Sequence, residues 1–258
     1  MLKIATWNVN SLRVRLPQLL EWLKLQQADI VALQEIKVVD ELFPRAELEA
    51  AGYHCAFAGQ KTYNGVAVLS RVQGSDIQTD FPNYADPQRR ILAVSYGDLR
   101  VINVYIPNGS EVGSEKFAYK LEWLSHLQTL VAESLKTYPK VILLGDFNIA
   151  PRDEDVCDPE TYRDGILTHE SVRNRLQAIY DLGMQDVFQC FPQPAKSYSW
   201  WDYRAAAFRR NLGVRIDLIL ANHALAKICQ QCATDLVPRG WERPSDHAPV
   251  MAQFYMDD

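Results

Sequence analysis

The chain has 258 residues, 48% of them hydrophobic, and a formal net charge of −5 at pH 7. This length and apolar share allow a large core, whereas the negative charge argues against a basic coat that binds nucleic acid without regard to sequence. The first residues turn polar too early for a signal peptide, and no run of roughly 18 apolar residues could span a bilayer. We therefore expect a soluble, cytoplasmic protein without a membrane partner.

Nine apolar runs along the chain are predicted to form strands. In chain order they cover 2–9, 30–33, 65–70, 91–96, 100–106, 141–144, 197–203, 215–221 and 249–255. Leucines at helical spacing predict helices at 16–27, where Pro17 suits the first turn, at 115–136, and around Leu176, Ile179 and Tyr180. Several strands follow one another without a helix, so hairpins must be present and the sheet cannot be purely parallel.

No low-complexity segment or Gly/Ser-rich or Pro-rich bridge divides the chain, so 1–258 is expected to be a single domain. A weak internal repeat is visible, because each half has two strands that end in polar residues: Asn8/Asn10 and Glu35 in the first, Asp146/Asn148 and Asp217 in the second. We expect two packed sheets related by rough twofold symmetry, with these strand ends meeting at one edge.

Two short strings carry most of the chemical information: Gly145-Asp146-Phe147-Asn148 and Ser245-Asp246-His247. Each places a carboxylate beside a second polar group next to an apolar run. A carboxylate at a strand end is rigidly aimed and can bind a hard cation or take a proton from water, as in metal-assisted hydrolysis. Taken singly, Asp146 could instead form a turn, and His247 could be a surface or hydrogen-bonded histidine.

The five cysteines are odd in number and have no framework spacing, which favours free thiols in a reducing compartment. The only CxxC pair, at 229–232, has no second pair, so a zinc or redox role is disfavoured.

Basic residues are clustered despite the net negative charge. Arg204, Arg209, Arg210 and Arg215 lie in one stretch with Trp200, Trp201, Tyr203 and Phe208. Interleaved guanidinium and aromatic groups suit contacts with phosphates and stacking on bases or sugars. The alternative is a solvated face above core aromatics.

Several motifs, taken together and in order, resemble the exonuclease III family of DNA-repair nucleases, within the endonuclease/exonuclease/phosphatase superfamily. They are Trp-Asn-Val-Asn at 7–10, Leu-Gln-Glu at 33–35, Gly-Gln-Lys at 59–61, Gln-Arg-Arg at 88–90, Asn-Val-Tyr at 103–105, Gly-Asp-Phe-Asn-Ile-Ala-Pro at 145–151, Ser-Trp-Trp-Asp-Tyr-Arg at 199–204, Arg-Ile-Asp at 215–217 and Pro-Ser-Asp-His-Ala-Pro at 244–249. Dispersed motifs in the right order are far more specific than any one of them.

The resemblance implies an α/β fold: a four-layer sandwich of two mostly antiparallel sheets flanked by helices. It also implies a monomer that hydrolyses phosphodiesters of double-stranded DNA at abasic sites or blocked 3′ ends, with Mg²⁺ or with Mn²⁺ as a substitute. The implied activities are 3′–5′ exonuclease, 3′-phosphodiesterase and abasic-site endonuclease.

The resemblance also assigns roles to individual residues. Glu35 would bind the metal ion, with Asn8 or Asn10 as a neutral ligand or supporting amide, and Asp246 would bind a second ion or support the first. Asp146 would activate or orient water, Asn148 would hold a phosphate oxygen, and His247 would pair with Asp217. Tyr105 would offer its phenolic proton to the developing charge, or to the leaving oxygen if its pKa is lowered. The implied DNA contacts are Lys61, Arg90, Trp200, Arg204 and Arg209.

One departure concerns 166–173, where the family borders its damage pocket. His169 is expected at the pocket rim, where its ring would close the pocket to an abasic nucleotide. An alignment shifted by one residue puts Thr168 there instead, and a third interpretation makes His169 the start of a surface helix. The balance between abasic incision and 3′-end trimming therefore stays open.

Two other functions compete with a DNA-repair nuclease. One is a phosphatase or phospholipase of the same superfamily, against which the Trp-Trp-Asp-Tyr-Arg string argues. The other is a noncatalytic DNA-binding module, which would require the loss of polar residues that are all present here.

Overall fold

The computed structural model describes residues 1–256, and its strands form two six-stranded sheets and one short hairpin. In chain order the strands are β1 (Leu2–Asn8), β2 (Ile30–Gln34), β3 (His54–Ala58), β4 (Val66–Ser70), β5 (Ser75–Gln78), β6 (Ile91–Tyr96), β7 (Leu99–Tyr105), β8 (Lys140–Asp146), β9 (Met184–Asp186), β10 (Trp200–Trp201), β11 (Gly213–Val214), β12 (Asp217–Asn222), β13 (Cys229–Thr234) and β14 (Val250–Phe254). The strand orders are β13-β14-β1-β2-β4-β3 in the first sheet and β5-β6-β7-β8-β12-β9 in the second.

Helices cover the outer faces of both sheets. In chain order they are α1 (Leu12–Gln26), α2 (Arg45–Ala50), α3 (Glu115–Thr137), α4 (Pro159–Tyr162), α5 (Glu170–Tyr180) and α6 (His223–Ala226). Trp22 of α1 packs on Trp7 of the first sheet, and Trp123 and Leu176 of α3 and α5 pack on the second. Among residues 1–256, no helix combines the length and the apolar character needed to cross a bilayer.

The strands are arranged in the same way in the two sheets. Each described sheet has one parallel pair, β1 with β2 and β7 with β8, and a helix connects each pair. All neighbouring pairs around them are antiparallel. The predicted sandwich of two mostly antiparallel sheets is confirmed, and the parallel pairs occupy the same place in both strand orders.

The innermost core lies between the sheets. Ile4 and Val68 of the first sheet face Val101 and Ile142 of the second, and all four are fully buried. Burying this apolar surface is the main stabilising contribution to the sandwich, at about 25 cal/mol per Å². Because both sheets are held rigidly, side chains at their shared edge are held at fixed separations.

Some predicted boundaries were wrong. Helix α1 begins at Leu12 rather than at 16, so Pro17 lies inside the helix, on an exposed side where the missing backbone donor is tolerated. The predicted strand 197–203 shrinks to the two residues of β10, which pair with the short β11 and form an isolated bridge to His247. Strands β3, β5, β9, β11 and β13 were not predicted, because each is very short or mixes polar and apolar residues.

Candidate active site

The polar residues at the strand ends meet at one edge of the sandwich. Tyr105 and Asp146 are the last residues of β7 and β8, where they are register partners. Asp217, the first residue of the antiparallel β12, also pairs with Asp146. Because β12 runs the other way, its first residue lies beside the last residue of β8, which brings three functional side chains together.

One amide joins the two sheets at this edge. Asn8, at the end of β1, donates from Nδ2 to Glu35 Oε1 at 2.9 Å and to Asp146 Oδ2 at 2.9 Å. Its Oδ1 accepts a hydrogen bond from the backbone N–H of Asn10. The nitrogen of Asn8 therefore faces the carboxylates, which supports its role as a supporting amide rather than as a direct metal ligand.

The backbone at the site adopts uncommon conformations. Gly145 has φ +148°, and a Cβ there would lie 1.9 Å from the Val104 carbonyl oxygen, so a side chain cannot fit. Glu35 and Asn148, both at φ 49°, lie in the left-handed region. Non-glycine residues adopt this region at an energetic cost, and such positions cluster at functional sites.

His247 and Asp217 form a buried pair. His247 Nδ1 lies 2.8 Å from Asp217 Oδ2, and Nε2 lies 3.7 Å from Asp146 Oδ2. Burial alone would lower the pKa of His247, but Asp217 and then Asp146 outweigh burial and raise it to about 10. The two carboxylates thus favour the charged form of the imidazole, whose Nε2 faces Asp146.

Hydroxyl groups hold both partners of this pair. Ser199 Oγ accepts hydrogen bonds from the backbone N–H groups of Ile216 and Asp217. Ser245 Oγ accepts from the His247 N–H and donates to the Asn8 carbonyl at 2.6 Å. The ring and the carboxylate are thus fixed from the backbone side as well as by each other.

Asp146 and Tyr105 titrate in a buried, acidic setting. Burial raises the pKa of Asp146 to about 7, with His247 opposing the shift and Asp217 adding to it. Burial, together with the carboxylates of Glu35 and Asp146, holds the pKa of Tyr105 well above its usual value. The phenol therefore stays protonated, and the lowered pKa that proton transfer to the leaving oxygen would need is not found.

Oxygen ligands suitable for a metal ion surround the same edge. Glu35 and Asp146 each offer a carboxylate oxygen, and these atoms and a ring nitrogen of His247 lie within 4.8 Å of one another. Asp246 accepts hydrogen bonds from Asn10 Nδ2 at 3.1 Å and from Trp200 Nε1 at 2.9 Å. Partly exposed carboxylates and amide oxygens are the ligands that hard divalent cations prefer, so this set of residues fits such an ion.

A cavity of about 480 Å³ opens above these groups. Its polar side is formed by Glu35, Tyr105, Asn108, Asp146, Asn148, Asp246 and His247, and its other wall by Thr161, Tyr162, Gly165, Ile166, Leu167, Trp200 and Ile216. A larger cleft of about 750 Å³ elsewhere is lined by none of the polar strand-end groups. The cavity thus combines a charged floor with a mostly apolar wall, which suits a sugar ring attached to a phosphate.

The predicted DNA contacts lie at different distances from this cavity. The Arg90 guanidinium stacks on the Tyr105 ring at 4.7 Å and donates to the Tyr105 carbonyl, and Trp200 lines the cavity. Lys61 and Arg209 are exposed outside it, and Arg204 is exposed and paired with Asp202 at 2.7 Å.

Arg215 was wrongly grouped with the DNA-contacting arginines. It is 1% exposed, and its guanidinium binds Asp155 at 2.7 Å and Asp186 at 2.8 Å. Trp201 is likewise buried, packing edge-on against Phe208. In this stretch Arg204 and Arg209 are exposed to solvent, whereas Arg215 and Trp201 belong to the core.

His169 does not lie at the pocket rim, which corrects that expectation. It caps the N-terminus of α5, where its Nδ1 accepts from the Ser171 N–H at 3.2 Å, and its ring packs edge-on against Phe117. The wall residues of this segment are Gly165, Ile166 and Leu167, so the register shifted to Thr168 also misses the cavity.

His169→Gly is therefore expected to lower the free energy of unfolding by about 1 kcal/mol, through loss of the cap and the aromatic contact. Urea unfolding measures this loss. The ratio of abasic incision to 3′-end removal should not change, and a selective rise in abasic incision would return His169 to the pocket.

Sequence reasoning missed three residues that organise the site. Lys37 bridges Asn10 Oδ1 at 2.6 Å and Glu35 Oε2 at 3.0 Å, and Asn108 donates to Asn148 Oδ1 at 3.3 Å. Lys120 is buried beneath the catalytic loops. Lys37 and Asn108 each lie two or three residues beyond a predicted site residue, a spacing that could have signalled them, whereas Lys120 looks like an ordinary helix lysine.

The chain is similar to known proteins over almost its whole length. The model of the endonuclease/exonuclease/phosphatase family matches residues 5–247. Exodeoxyribonuclease III from Haemophilus influenzae is 36% identical, covering 98% of this chain and 100% of its own. The 3′ phosphatase NExo from Neisseria bound to a product DNA hairpin is 45% identical, covering 99% and 100%, with a TM-score of 0.97. An AP endonuclease from Archaeoglobus fulgidus is 38% identical with the same coverage and a TM-score of 0.95.

Proposed function

The chain belongs to the endonuclease/exonuclease/phosphatase family, and we propose that it hydrolyses phosphodiesters at abasic sites and blocked 3′ ends of double-stranded DNA. It is a metal-dependent DNA-repair nuclease of the exodeoxyribonuclease III type. The observation that carries the proposal is the convergence of Glu35, Asp146 and the His247–Asp217 pair on one cavity.

Asp146 and His247 supply the acid–base and electrostatic chemistry in this proposal. A carboxylate whose pKa lies near neutrality can orient the attacking water and accept its proton. The cationic His247, fixed by Asp217, donates from Nε2 to a phosphate oxygen. Negative charge that develops on the phosphate oxygens is thereby stabilised by a group already in place.

Asn148 and Tyr105 complete the contacts to the phosphate. Asn148 Nδ2 donates one N–H to the Ile106 carbonyl at 2.9 Å, so its second N–H is left for a phosphate oxygen. The Tyr105 phenol, which stays protonated, donates a hydrogen bond to the same group or to the leaving oxygen. Both side chains line the cavity, so neither has to move far to reach the substrate.

Glu35 and Asp246, assisted by Asn10 and by the supporting amide of Asn8, would hold Mg²⁺, or Mn²⁺ in its place. When bound, such an ion supplies Lewis-acid polarisation of a phosphate oxygen. The Lys37 ammonium, 3.0 Å from Glu35, balances part of the acidic charge at the site.

Glu35→Ala is expected to raise the Mg²⁺ concentration needed for half-maximal cleavage by about 10-fold or more, because a carboxylate ligand is lost from a partly exposed strand end. Titration of cleavage with Mg²⁺ and direct Mn²⁺ binding by electron paramagnetic resonance both measure this. Glu41→Ala, an exposed carboxylate in the segment after β2, is the matched control. An unchanged Mn²⁺ affinity would remove Glu35 from the metal site.

Basic side chains in and outside the cavity region would hold the DNA backbone. Arg90 lies next to Tyr105, Lys61 and Arg209 are exposed, and Arg204 would exchange its pairing with Asp202 for a phosphate farther along the duplex. Trp200 presents its ring to the cavity while its indole N–H binds Asp246, so it can pack against a deoxyribose. Contacts of this kind position the substrate without reading sequence.

The experiment that tests the function uses two labelled duplexes, one with a single internal abasic site and one with a nick that bears a 3′-phosphate. Each is incubated with Mg²⁺ or with EDTA. Mg²⁺-dependent cleavage of both supports the full proposal, and cleavage of the nicked duplex alone identifies a specialised 3′-end-trimming enzyme. Failure on both, with activity on an inositol phosphate or a sphingolipid, would favour the phosphatase or phospholipase function instead.

We further propose that 1–258 acts as a single catalytic domain and as a monomer in the cytoplasm. The cavity is formed entirely by residues of this one chain. All five cysteines are free. Burial raises the pKa of Cys229 in the CxxC pair to about 11, so very little of this thiol is in the reactive thiolate form at neutral pH. Size-exclusion chromatography with light scattering checks the monomer.

A further inference from the structure

Lys120 of α3 is fully buried and directs its ammonium group at three backbone carbonyls. Its Nζ donates to the oxygens of Asn108 at 3.1 Å, Asn148 at 2.7 Å and Ile166 at 2.9 Å. An ammonium group has three N–H donors, so all three are used.

The three carbonyls come from three separate segments around the cavity. Asn108 follows β7, Asn148 follows β8, and Ile166 follows α4. The side chains of all three residues line the cavity, two on its polar side and one on the opposite wall. Lys120 is therefore a common anchor for the loops that follow Tyr105 and Asp146 and for the wall that faces them.

Asn148 depends on this anchor most directly. It is held in the left-handed conformation at φ 49°, and the hydrogen bond to its carbonyl is the shortest of the three. Asn108, itself bound to Lys120, donates to the side-chain oxygen of Asn148 at 3.3 Å. Lys120 thus holds the Asn148 carbonyl directly and the Asn148 side-chain oxygen through Asn108, while the Ile106 carbonyl accepts from Asn148 Nδ2.

Burying the Lys120 ammonium group costs the folded state free energy. Burial lowers the pKa of Lys120 to about 7, against the opposing effect of Asp146, so the interior disfavours the charged form. The neighbouring backbone also makes room for the side chain, because a Cβ on Gly109, at φ +96°, would lie 3.1 Å from Lys120 Cδ. Stability alone is usually served better by apolar side chains at such depth.

We propose that Lys120 is a positioning residue that sets the orientation of the catalytic Asn148 by tying its loop to the loop after β7 and to the cavity wall. The inference rests on the proposed nuclease function. Lys120 touches no substrate and acts through Asn148, so its effect must disappear when the Asn148 side chain is removed.

The test compares Lys120→Met, which keeps the length of the side chain and loses every donor, with Lys120→Gln, which keeps two donors and is the variant more certain to fold. Leu127→Ala, a buried truncation on the same helix, is the control for stability alone. Single-turnover cleavage of the nicked 3′-phosphate duplex is measured with Mg²⁺, and DNA affinity is measured in EDTA. The lysine substitutions are repeated in an Asn148→Ala background.

We expect Lys120→Met to lower the single-turnover rate roughly 10- to 100-fold, with Lys120→Gln between it and the unsubstituted protein, because small misplacements of a catalytic group have effects of this size. In the Asn148→Ala background the same substitutions should cost less than about 3-fold. Equal losses in both backgrounds, or a rate per folded molecule as high as in Leu127→Ala, would overturn the proposal. If the unsubstituted protein cleaves neither test duplex, the proposed function itself fails, which is a distinguishable result.

Discussion

Replacement of Asp146 by Asn is expected to lower the single-turnover rate by about 10²-fold or more, with little change in DNA affinity. The substitution keeps the shape of the side chain, but its single carbonyl oxygen can accept from the Asn148 N–H or from Asn8 Nδ2 and not from both, and the carboxylate that can accept a proton is lost. Rapid-quench kinetics with enzyme in excess over DNA separates this loss from binding.

The pH dependence provides a second measurement of the same change. A base must be deprotonated to act, so the rate of the unsubstituted protein should rise with pH up to about 7, where Asp146 loses its proton. The apparent pKa belongs to the interacting Asp146 and His247 together, since their side chains lie 3.7 Å apart. Asp146→Asn should flatten this rise.

Asp98→Asn is the matched control, because it makes the same charge change on an exposed side chain in the turn before β7, at the strand's other end from Tyr105. If Asp146→Asn instead weakens DNA binding and keeps its single-turnover rate, Asp146 positions the substrate and does not activate water.

The strand-end residues could be predicted because their sequence signal is local. Asp146 ends an apolar strand and Asn148 lies just after it, and Asp246 and His247 lie shortly before another strand, so the place of each in the fold follows from a short stretch of chain. Their meeting at one edge follows from the strand plan, in which β12 and β14 run against their neighbours. A long, periodic helix such as α3 was likewise predicted within one residue of its observed end.

What could not be predicted depends on contacts between residues far apart in sequence. Arg215 and the exposed Arg204 look alike in the sequence, yet Asp155 and Asp186, 60 and 29 positions away, draw Arg215 into the core. Lys120 is similar: its partners lie up to 46 positions away and are backbone carbonyls, which carry no sequence signature. His169 was misplaced because a cap and a pocket rim both call for a polar residue before a helix.

The orientation of side chains was equally beyond the sequence. Asn8 was identified as part of the site, but only the structure shows that its nitrogen bridges carboxylates of both sheets. Tyr105 was identified too, and only its burial beside Glu35 and Asp146 shows that its pKa is raised. Residue type and position reveal which groups gather, whereas the environment of each group decides its chemistry.

His247→Asn and Asp217→Asn should each lower the single-turnover rate by about 10²-fold or more, and the double variant should be little worse than either alone. His247 can stabilise the phosphate only while it is charged and correctly turned, and Asp217 supplies both conditions through the 2.8 Å contact with Nδ1. When either residue is replaced, the stabilisation of the phosphate by the pair is lost, so replacing the second residue lowers the rate little further.

A spectroscopic measurement distinguishes this pairing from a merely structural effect. Asp217 is the largest of the contributions that raise the pKa of His247 to about 10, so Asp217→Asn should bring that pKa down and leave the ring largely neutral at higher pH. Titration of the imidazole resonances by NMR reports the shift, and Asp181→Asn on the exposed end of α5 is the control. Independent, multiplicative rate losses together with an unchanged His247 pKa would mean that Asp217 does not act through the histidine. A lowered pKa and a double variant no slower than the singles would show instead that the cation at Nε2, held by a buried carboxylate, is the feature on which cleavage depends.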